Sequence, residues 1–283
     1  MGERVIFVCN YDEVYKHRGG GWPPESDLDA IKRFRHQGNL MGIVTDSDPF
    51  LAWALHGKYM EQFDFIVCAG GSCVIARTPV GDKDGELSKV FCKGIHRYFL
   101  GELYDFFTGV KALSISADVE GFMSGYSEAE RFRDAFDPAL GSGCSVHFWN
   151  SIADFFHADV NRDALLFARS FSQCTATFGS DTAAEGAAME INRRYNGLRA
   201  YSVDKSVFVV YGHCSNSSGI AEFAGMAGVS ADDVWILACG SGDPDMLREF
   251  NGIAKSDGHP AVLAATDRHA MTVEEAIGII CGK

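Results

Sequence analysis

The sequence predicts an α/β fold, with a three-layer core built on a parallel sheet and an inserted α+β domain. Short apolar runs, typical of strands buried on both faces, occur at residues 5–9, 40–44 and 234–239. An amphipathic helical pattern separates the first two runs, which gives the strand–helix–strand order of a parallel βαβ unit. The middle of the chain instead alternates apolar and polar residues, as an antiparallel sheet with one open face does. Together these patterns predict a core in two sequence pieces with a second domain between them.

The composition argues against several classes of partner. The 283 residues carry a formal net charge of -13, whereas a protein that binds nucleic acid needs clustered Lys and Arg. No run of about 18 consecutive apolar residues occurs, so no membrane span and no membrane partner are expected. The nine cysteines are scattered, without a CxxC pair or the spacing of zinc ligands. A reduced, cytoplasmic protein without a signal peptide is therefore expected.

The first core piece opens with the strand that ends at Asn10 and Asp12. A helix is predicted from an N-cap at Ser26 to a glycine at Gly38, and the second strand follows at 40–45. The elements expected after it are a helix at about 49–58, a strand at 65–68, a glycine-rich turn at 69–72 and a short apolar piece at 73–76.

The inserted domain is expected to begin after a change of composition to Pro, Gly, Asp and Lys at residues 78–85. A helix at about 87–107 and a strand at 112–115 are predicted within it. Its aromatic segment His147, Phe148 and Trp149 either shapes a substrate pocket or forms part of a small apolar core. The predicted domains are residues 1–83 and 205–283 for the core and residues 84–204 for the insertion.

The parallel pattern returns towards the end of the chain. The predicted elements there are a strand at 207–211, a helix at 220–228, a buried strand at 234–239, a strand at 261–265 and a helix at 273–280.

Polar side chains and glycines follow four of the predicted core strands. Because the carboxyl ends of parallel strands meet at the edge where open α/β sheets hold ligands, these residues are expected to converge. Hydroxyl groups, glycine amides and carboxylates at such an edge make a site for phosphate and a hard cation. The candidates are Asn10 and Asp12 after the first strand, Thr45 and Asp46 after the second, Gly70 and Gly71 after the third, and Asp243 and Asp245 in the loop at 240–245.

These loops resemble the motifs of the haloacid dehalogenase-like (HAD) superfamily, in its Cof-type branch of sugar-phosphate phosphatases with a large inserted cap. The resemblance covers essentially the whole chain and implies a Rossmann-like core, a small phosphorylated metabolite as substrate and Mg²⁺ as cofactor. In that family the first strand ends in Asp-x-Asp, a nucleophile followed by a general acid and base, and the matching positions are Asn10 and Asp12. Thr45, with Asp46 beside it, matches the phosphate-binding hydroxyl, and the turn at 69–71 matches the one after the third strand.

Three departures from the family pattern affect the expected chemistry. Asn10 stands at the position of the nucleophile, and Ser218 stands at the position of the phosphate-binding Lys. The acidic loop is shortened, so that Ser241 falls where the first metal-binding Asp is expected. The remaining candidate ligands of a weakened Mg²⁺ site are Asn10, Asp12, Asp243 and Asp245.

These departures weaken the expected chemistry. A neutral amide is a far poorer nucleophile than a carboxylate, Mg²⁺ prefers anionic oxygen ligands, and loss of the Lys removes a positive charge next to the transferring group. The sequence therefore predicts a HAD-like hydrolase scaffold with weak or lost phosphatase activity. Two alternatives are a non-catalytic ligand-binding or regulatory protein on the same fold, and an enzyme in which Asp12 acts as general base on a water molecule.

Several of the candidate site residues also have a purely structural interpretation, which the sequence leaves open. The alternatives are a turn for Asp12, a helix cap for Thr45, a plain turn around Pro244 for Asp243 and Asp245, and turn formation without ligand contact for Gly70 and Gly71.

Overall fold

The computed structural model describes residues 4–15, 23–46, 62–80, 85–96, 98–119, 170–240 and 242–282. These residues divide into two units. The first unit contains the described residues up to Asp46, those from 62 to Phe91 and those from Ser215 onward, and the second contains those from Cys92 to Cys214. Each unit has its own sheet and its own apolar core.

Strands and helices alternate along much of the described chain. The strands are β1 (Ile6–Asn10), β2 (Leu40–Val44), β3 (Phe65–Cys68), β4 (Cys73–Thr78), β5 (Glu86–Cys92), β6 (Ile95–His96), β7 (Ser114–Val119), β8 (Ser170–Thr177), β9 (Leu198–Val203), β10 (Ser206–Tyr211), β11 (Val234–Ala238), β12 (Asn251–Lys255) and β13 (His269–Ala270). The helices are α1 (Tyr11–Val14), α2 (Glu25–His36), α3 (Tyr98–Gly109), α4 (Asp181–Arg194), α5 (Asn216–Ala227), α6 (Pro244–Glu249), α7 (Pro260–Leu263) and α8 (Val273–Ile280).

The first unit is built on an eight-stranded sheet in the order β13-β12-β11-β1-β2-β3-β4-β5. From β13 to β3 every neighbouring pair is parallel, and β4 runs antiparallel to β3. β1 lies between β2 and β11. The predicted α/β core with a parallel sheet is confirmed. This topology brings the carboxyl ends of β11, β1, β2 and β3 to one edge of the sheet.

Both faces of this sheet are covered, which explains the continuous apolar runs of its strands. Ile6 of β1 belongs to a core cluster that also contains Ile220 and Phe223 of α5. The next residue, Phe7, contacts Phe34 of α2 edge to face, with ring centroids 6.2 Å apart. Because successive side chains of a strand point to opposite faces, α5 and α2 lie on opposite sides of the sheet. The first unit therefore has the three layers that the sequence predicts.

A buried ion pair connects α2 to the sheet. Arg35 donates from Nε to Asp64 Oδ2 at 2.9 Å and from Nη2 to Asp64 Oδ1 at 2.7 Å. The backbone N–H of Met41 in β2 donates to the same Oδ2 at 2.8 Å. Arg35 is 7% exposed and Asp64 is 5% exposed, so each charge depends on the other for compensation inside the protein.

The second unit contains an antiparallel sheet in the order β6-β8-β10-β9, with β7 also paired to β8. Its apolar core combines Leu103 and Phe107 of α3, Ile191 of α4, and Val207 and Val209 of β10. This is the antiparallel α+β arrangement that the middle of the sequence predicts. The assignment of this unit as an inserted cap stays a prediction.

Two predicted elements are wrong, and a third is a strand in the other sheet. The strand predicted at 207–211 is confirmed as β10, but it was expected in the parallel core and instead runs antiparallel to both of its neighbours. The helix predicted at 87–107 is replaced by β5, β6 and α3, because β5 completes the sheet beside β4 and this pairing overrides local helix propensity. The strand predicted at 261–265 is the short helix α7, which Pro260 begins with a backbone φ suited to a first helical turn.

Some expectations fall outside the described residues, namely the helix at 49–58, Ser241, and the aromatic residues His147, Phe148 and Trp149. Among the residues that are described, no helix is both long and apolar enough to cross a membrane. The cysteines in the described ranges are all free thiols.

Replacing Arg35 tests the contribution of the buried ion pair. In Arg35→Met, Asp64 keeps its burial but loses its charged partner, so the free energy of unfolding is expected to fall by about 3–5 kcal/mol. Arg33→Met is the matched control on the same helix, because Arg33 lies 3.5 Å from Glu274 but its side chain is 65% exposed. The control is expected to lose at most about 1 kcal/mol. Urea unfolding followed by circular dichroism measures both, and equal losses would contradict the assignment.

Candidate active site

β1 ends at Asn10, whose side chain is nearly buried at 6% exposure. Its amide nitrogen Nδ2 lies 3.1 Å from Oδ1 and 3.0 Å from Oδ2 of Asp243, and donates to this carboxylate. Asp243 follows β11, the strand next to β1, and is 3% exposed. The structure therefore brings together two of the predicted site residues from opposite ends of the chain.

The Asp243 carboxylate also organises the loop after β11. Its Oδ2 accepts the backbone N–H groups of Cys239 at 3.2 Å and Gly240 at 3.0 Å. The backbone N–H of Asp243 donates in turn to the carbonyl oxygen of Gly240 at 3.2 Å, and Pro244 then begins α6. These two backbone donors could not be predicted, because an amino-acid sequence does not show which backbone N–H groups point towards a carboxylate.

Asp12 makes a second group of contacts, with the end of β2. Its Oδ2 accepts the hydroxyl group of Thr45 at 2.7 Å and the backbone N–H of Asp46 at 2.9 Å. Thr45 is 1% exposed, whereas Asp12 is half-buried on the short helix α1. Asp12, Thr45 and Asp46 are therefore brought together as predicted from their positions after neighbouring strands.

The glycine-rich turn after β3 lies against the first turn of α5. Ala69, Gly70 and Gly71 have φ values of 51°, 58° and 85°, in the left-handed region that favours glycine. A Cβ on Gly71 would lie 1.8 Å from the carbonyl oxygen of Ser215, the N-cap of α5. A Cβ on Gly219, one turn into the helix, would lie 3.0 Å from the carbonyl oxygen of Gly71. The absence of side chains at both glycines lets the turn and the helix pack backbone against backbone.

Ser218 is the third residue of α5 and belongs to a capping box with Ser215. Its Oγ accepts the backbone N–H of Ser215 at 2.9 Å and donates to the Ser215 carbonyl oxygen at 2.8 Å. The backbone N–H of Ser218 donates to Ser215 Oγ at 3.1 Å. The Ser218 hydroxyl group is thus used in the helix cap, and its predicted role in phosphate binding stays a prediction. In the same turn the Asn216 side-chain oxygen is buried without a hydrogen-bond partner.

Asp245 lies apart from these contacts. Its side chain is 82% exposed on α6, and its Oδ1 accepts from Nη1 of Arg248 at 2.8 Å. None of the contacts described for Asp245 is with Asn10, Asp12 or Asp243.

The Cys9 thiol and the Tyr15 hydroxyl group are buried close to Asn10 in sequence, and both stay neutral. Burial raises the pKa of the Cys9 thiol, one residue before Asn10, to about 12. Burial likewise raises the pKa of the Tyr15 hydroxyl group well above its usual range. Because both groups keep their protons at neutral pH, neither provides an anionic nucleophile beside Asn10.

In its observed orientation the Asn10 amide does not fit Mg²⁺, the cofactor that the family resemblance implies. Mg²⁺ requires oxygen ligands, but Asn10 turns its amide nitrogen, which is a hydrogen-bond donor, towards Asp243. Within the described ranges, no group of three or more His, Cys, Asp and Glu residues is placed to hold a metal ion. The metal-binding roles expected for Asn10, Asp12, Asp243 and Asp245 stay predictions.

No protein-family model and no curated protein sequence matches the chain. Several solved structures do match it. A HAD-like hydrolase from Bacteroides thetaiotaomicron has a TM-score of 0.68 at 14% identity, over 98% of this chain and 100% of the other. A HAD/Cof-like hydrolase from Plasmodium vivax has a TM-score of 0.67 at 13% identity, over 99% and 95%. A HAD subclass IIB sugar phosphatase has a TM-score of 0.63 at 14% identity, over 99% and 97%.

The chain has the HAD-like hydrolase fold. Identities this low show a shared fold and do not by themselves show a shared reaction. The resemblance stated from the four loops is confirmed at the level of the fold, over nearly the full chain. In this HAD-like fold, the end of β1 carries Asn10 and Asp12, each of which contacts the loop after a neighbouring strand.

Replacing Gly71 tests the close packing of the turn on α5. Gly71→Ala combines an unfavourable positive φ with a clash against backbone, so the free energy of unfolding is expected to fall by about 3 kcal/mol or more. Gly38→Ala is the matched control, because Gly38 has a φ of 92° but nothing within 4 Å of an added Cβ. The control is expected to lose about 1–2 kcal/mol. If urea unfolding gave the same loss for both variants, the proposed close contact would be refuted.

Proposed function

We propose that the protein is a HAD-like hydrolase scaffold that binds a small phosphorylated metabolite, such as a sugar phosphate, and hydrolyses it weakly or not at all. The observation that carries this proposal is that Asn10, at the position of the nucleophile, donates from its amide nitrogen to the carboxylate of Asp243. The structural similarity to a HAD subclass IIB sugar phosphatase supports the class of ligand. In this proposal the first unit is the core and the second is the inserted cap.

The loss of turnover follows from the chemistry of Asn10. A HAD-type aspartyl-phosphate requires a carboxylate oxygen that attacks phosphorus, and an amide offers only a neutral oxygen and a delocalised nitrogen lone pair. The amide nitrogen of Asn10 is moreover held 3.0–3.1 Å from the Asp243 oxygens. The covalent route therefore has no nucleophile at this position.

Ligand binding depends on other groups and can persist without the nucleophile. The turn at Gly70 and Gly71 packs on the first turn of α5, a helix of 12 residues. The first backbone N–H groups of a helix, together with its dipole, favour an anion such as a phosphate group. This binding element is made of backbone, so the loss of a catalytic carboxylate leaves it unchanged.

A second candidate function keeps catalysis and rests on Asp12. The hydrogen bonds from Thr45 at 2.7 Å and from the Asp46 N–H at 2.9 Å hold one oxygen of its half-buried carboxylate in a fixed orientation. A carboxylate held in this way can take a proton from a water molecule that attacks phosphorus directly. No covalent intermediate is needed in that mechanism.

Phosphate release from a panel of sugar phosphates in the presence of Mg²⁺ distinguishes these candidates. The wild-type protein is expected to release phosphate at, or only slightly above, the rate of the protein-free blank, and Asp12→Ala is expected to leave this rate unchanged. Turnover by the wild type that falls about 10²–10⁴-fold in Asp12→Ala would establish the general-base candidate and overturn the proposal. Asp29→Ala is the control, since the Asp29 side chain is 54% exposed on α2.

Restoring the family residues tests whether the scaffold is a phosphatase that has lost its nucleophile. Asn10→Asp combined with Ser218→Lys is expected to gain phosphatase activity, and a folded double variant without any gain would contradict this. Ligand binding is measured in the wild type as a rise of Tm with the same sugar phosphates. If no compound of the panel raises Tm, the ligand-binding part of the proposal is wrong and the regulatory alternative is favoured.

A further inference from the structure

The amide nitrogen of Asn10 lies between the two oxygens of the Asp243 carboxylate, at hydrogen-bond distance from each. Asn10 Nδ2 is almost equally distant from the two carboxylate oxygens, at 3.1 and 3.0 Å, which is how a cation shared by both oxygens is placed. The amide nitrogen carries two N–H donors and no acceptor, whereas an ionised carboxylate only accepts. Asn10 is 6% exposed and Asp243 is 3% exposed, so this contact forms with little access for water.

We propose that the Asn10 amide is a built-in substitute for a divalent cation at Asp243. It provides the donors that the buried carboxylate needs, and it keeps the loop after β11 ordered without a metal ion. In the wild-type protein Mg²⁺ would therefore have to displace the Asn10–Asp243 hydrogen bond in order to bind at Asp243. This inference goes beyond the proposed function, since it concerns what holds the site together and holds with or without hydrolysis.

The hydrogen bonds of Asp243 support this substitution. Its Oδ2 also accepts the backbone N–H groups of Cys239 and Gly240, so the single negative charge is surrounded by donors from three residues. Buried charges need such compensation, and hydrogen bonds to a carboxylate are stronger than those between neutral groups. The carboxylate is satisfied by the chain alone.

A carboxylate at position 10 would have the opposite effect. It would place a second negative charge about 3 Å from Asp243, in a buried position and without N–H donors to offer. Such a pair is stable only when a cation or a shared proton lies between its oxygens. Compared with a carboxylate, Asn10 removes one negative charge and places a hydrogen-bond donor next to Asp243. Both differences let the site stay ordered without a cation.

Thermal unfolding in EDTA and in increasing concentrations of MgCl₂ tests this inference. The wild-type Tm is expected to be the same, within about 1 °C, in EDTA and in Mg²⁺. Asn10→Asp is expected to lower Tm in EDTA by about 5 °C or more and to recover it saturably as Mg²⁺ is added. A wild type that Mg²⁺ stabilises as strongly as Asn10→Asp would overturn the inference, and so would an Asn10→Asp variant as stable as the wild type in EDTA.

Two further variants keep the test decisive. Asn39→Asp adds the same charge near the opposite end of β1, where the Asn39 side-chain oxygen accepts the Val5 N–H at 3.1 Å, a role that Asp also fills. Its Tm is expected to be insensitive to Mg²⁺, and a response equal to that of Asn10→Asp would refute a specific site.

If Asn10→Asp fails to fold in EDTA, Asn10→Asp combined with Asp243→Asn restores one carboxylate and one amide and is expected to fold without Mg²⁺. If this double variant were no more stable than Asn10→Asp, the inference would be overturned, because repulsion between two carboxylates would then not explain the loss of stability.

Discussion

The hydrogen bonds between Asn10 and Asp243 connect the end of the central strand to the loop after its neighbour, and the site edge depends on them. β1 is buried on both faces, so a polar group at its end must find partners inside the protein. On the side of β11 this partner is Asp243, whose carboxylate also accepts hydrogen bonds from two backbone N–H groups of its own loop. On the side of β2, Asp12 does the same for Thr45 and Asp46. Two carboxylates, one on each side of β1, thus set the shape of the loops around it.

The strands around β1 could be predicted because burial on both faces leaves an unbroken apolar run, as in β1, β2, β3 and β11. The failures lie where burial is one-sided or the element is short. β10 alternates between buried and partly exposed residues over most of its length, and whether such a strand joins a parallel or an antiparallel sheet depends on neighbours far away in sequence. α7 spans only Pro260–Leu263, too short for a helical period to be recognised.

For the site, the sequence predicts which residues reach the edge but not how they pair. Asn10, Asp12, Thr45 and Asp243 follow predicted strands, and parallel topology alone brings them to one edge. The direction of each amide and hydroxyl group is a property of three-dimensional packing, so the donor role of Asn10 could not be predicted. Ser218 is different, because the Ser-x-x-Ser spacing with Ser215 resembles the Ser/Thr-x-x-Glu/Gln spacing of a capping box and could have indicated one from sequence.

The packing of the turn at Gly71 and the pairing of side chains at the end of β1 have different physical origins. The turn at Gly71 and the start of α5 are held together by backbone contacts that only small residues permit, and they need neither a nucleophile nor a cation. A side-chain carboxylate at this edge, by contrast, adds a buried negative charge that must be compensated. Exchanging such a carboxylate for an amide removes a charge and adds donors, which relieves the repulsion while keeping the shape. The proposed loss of chemistry therefore needs no loss of stability, because the amide of Asn10 still pairs with Asp243 and the backbone packing of the turn on α5 does not involve either side chain.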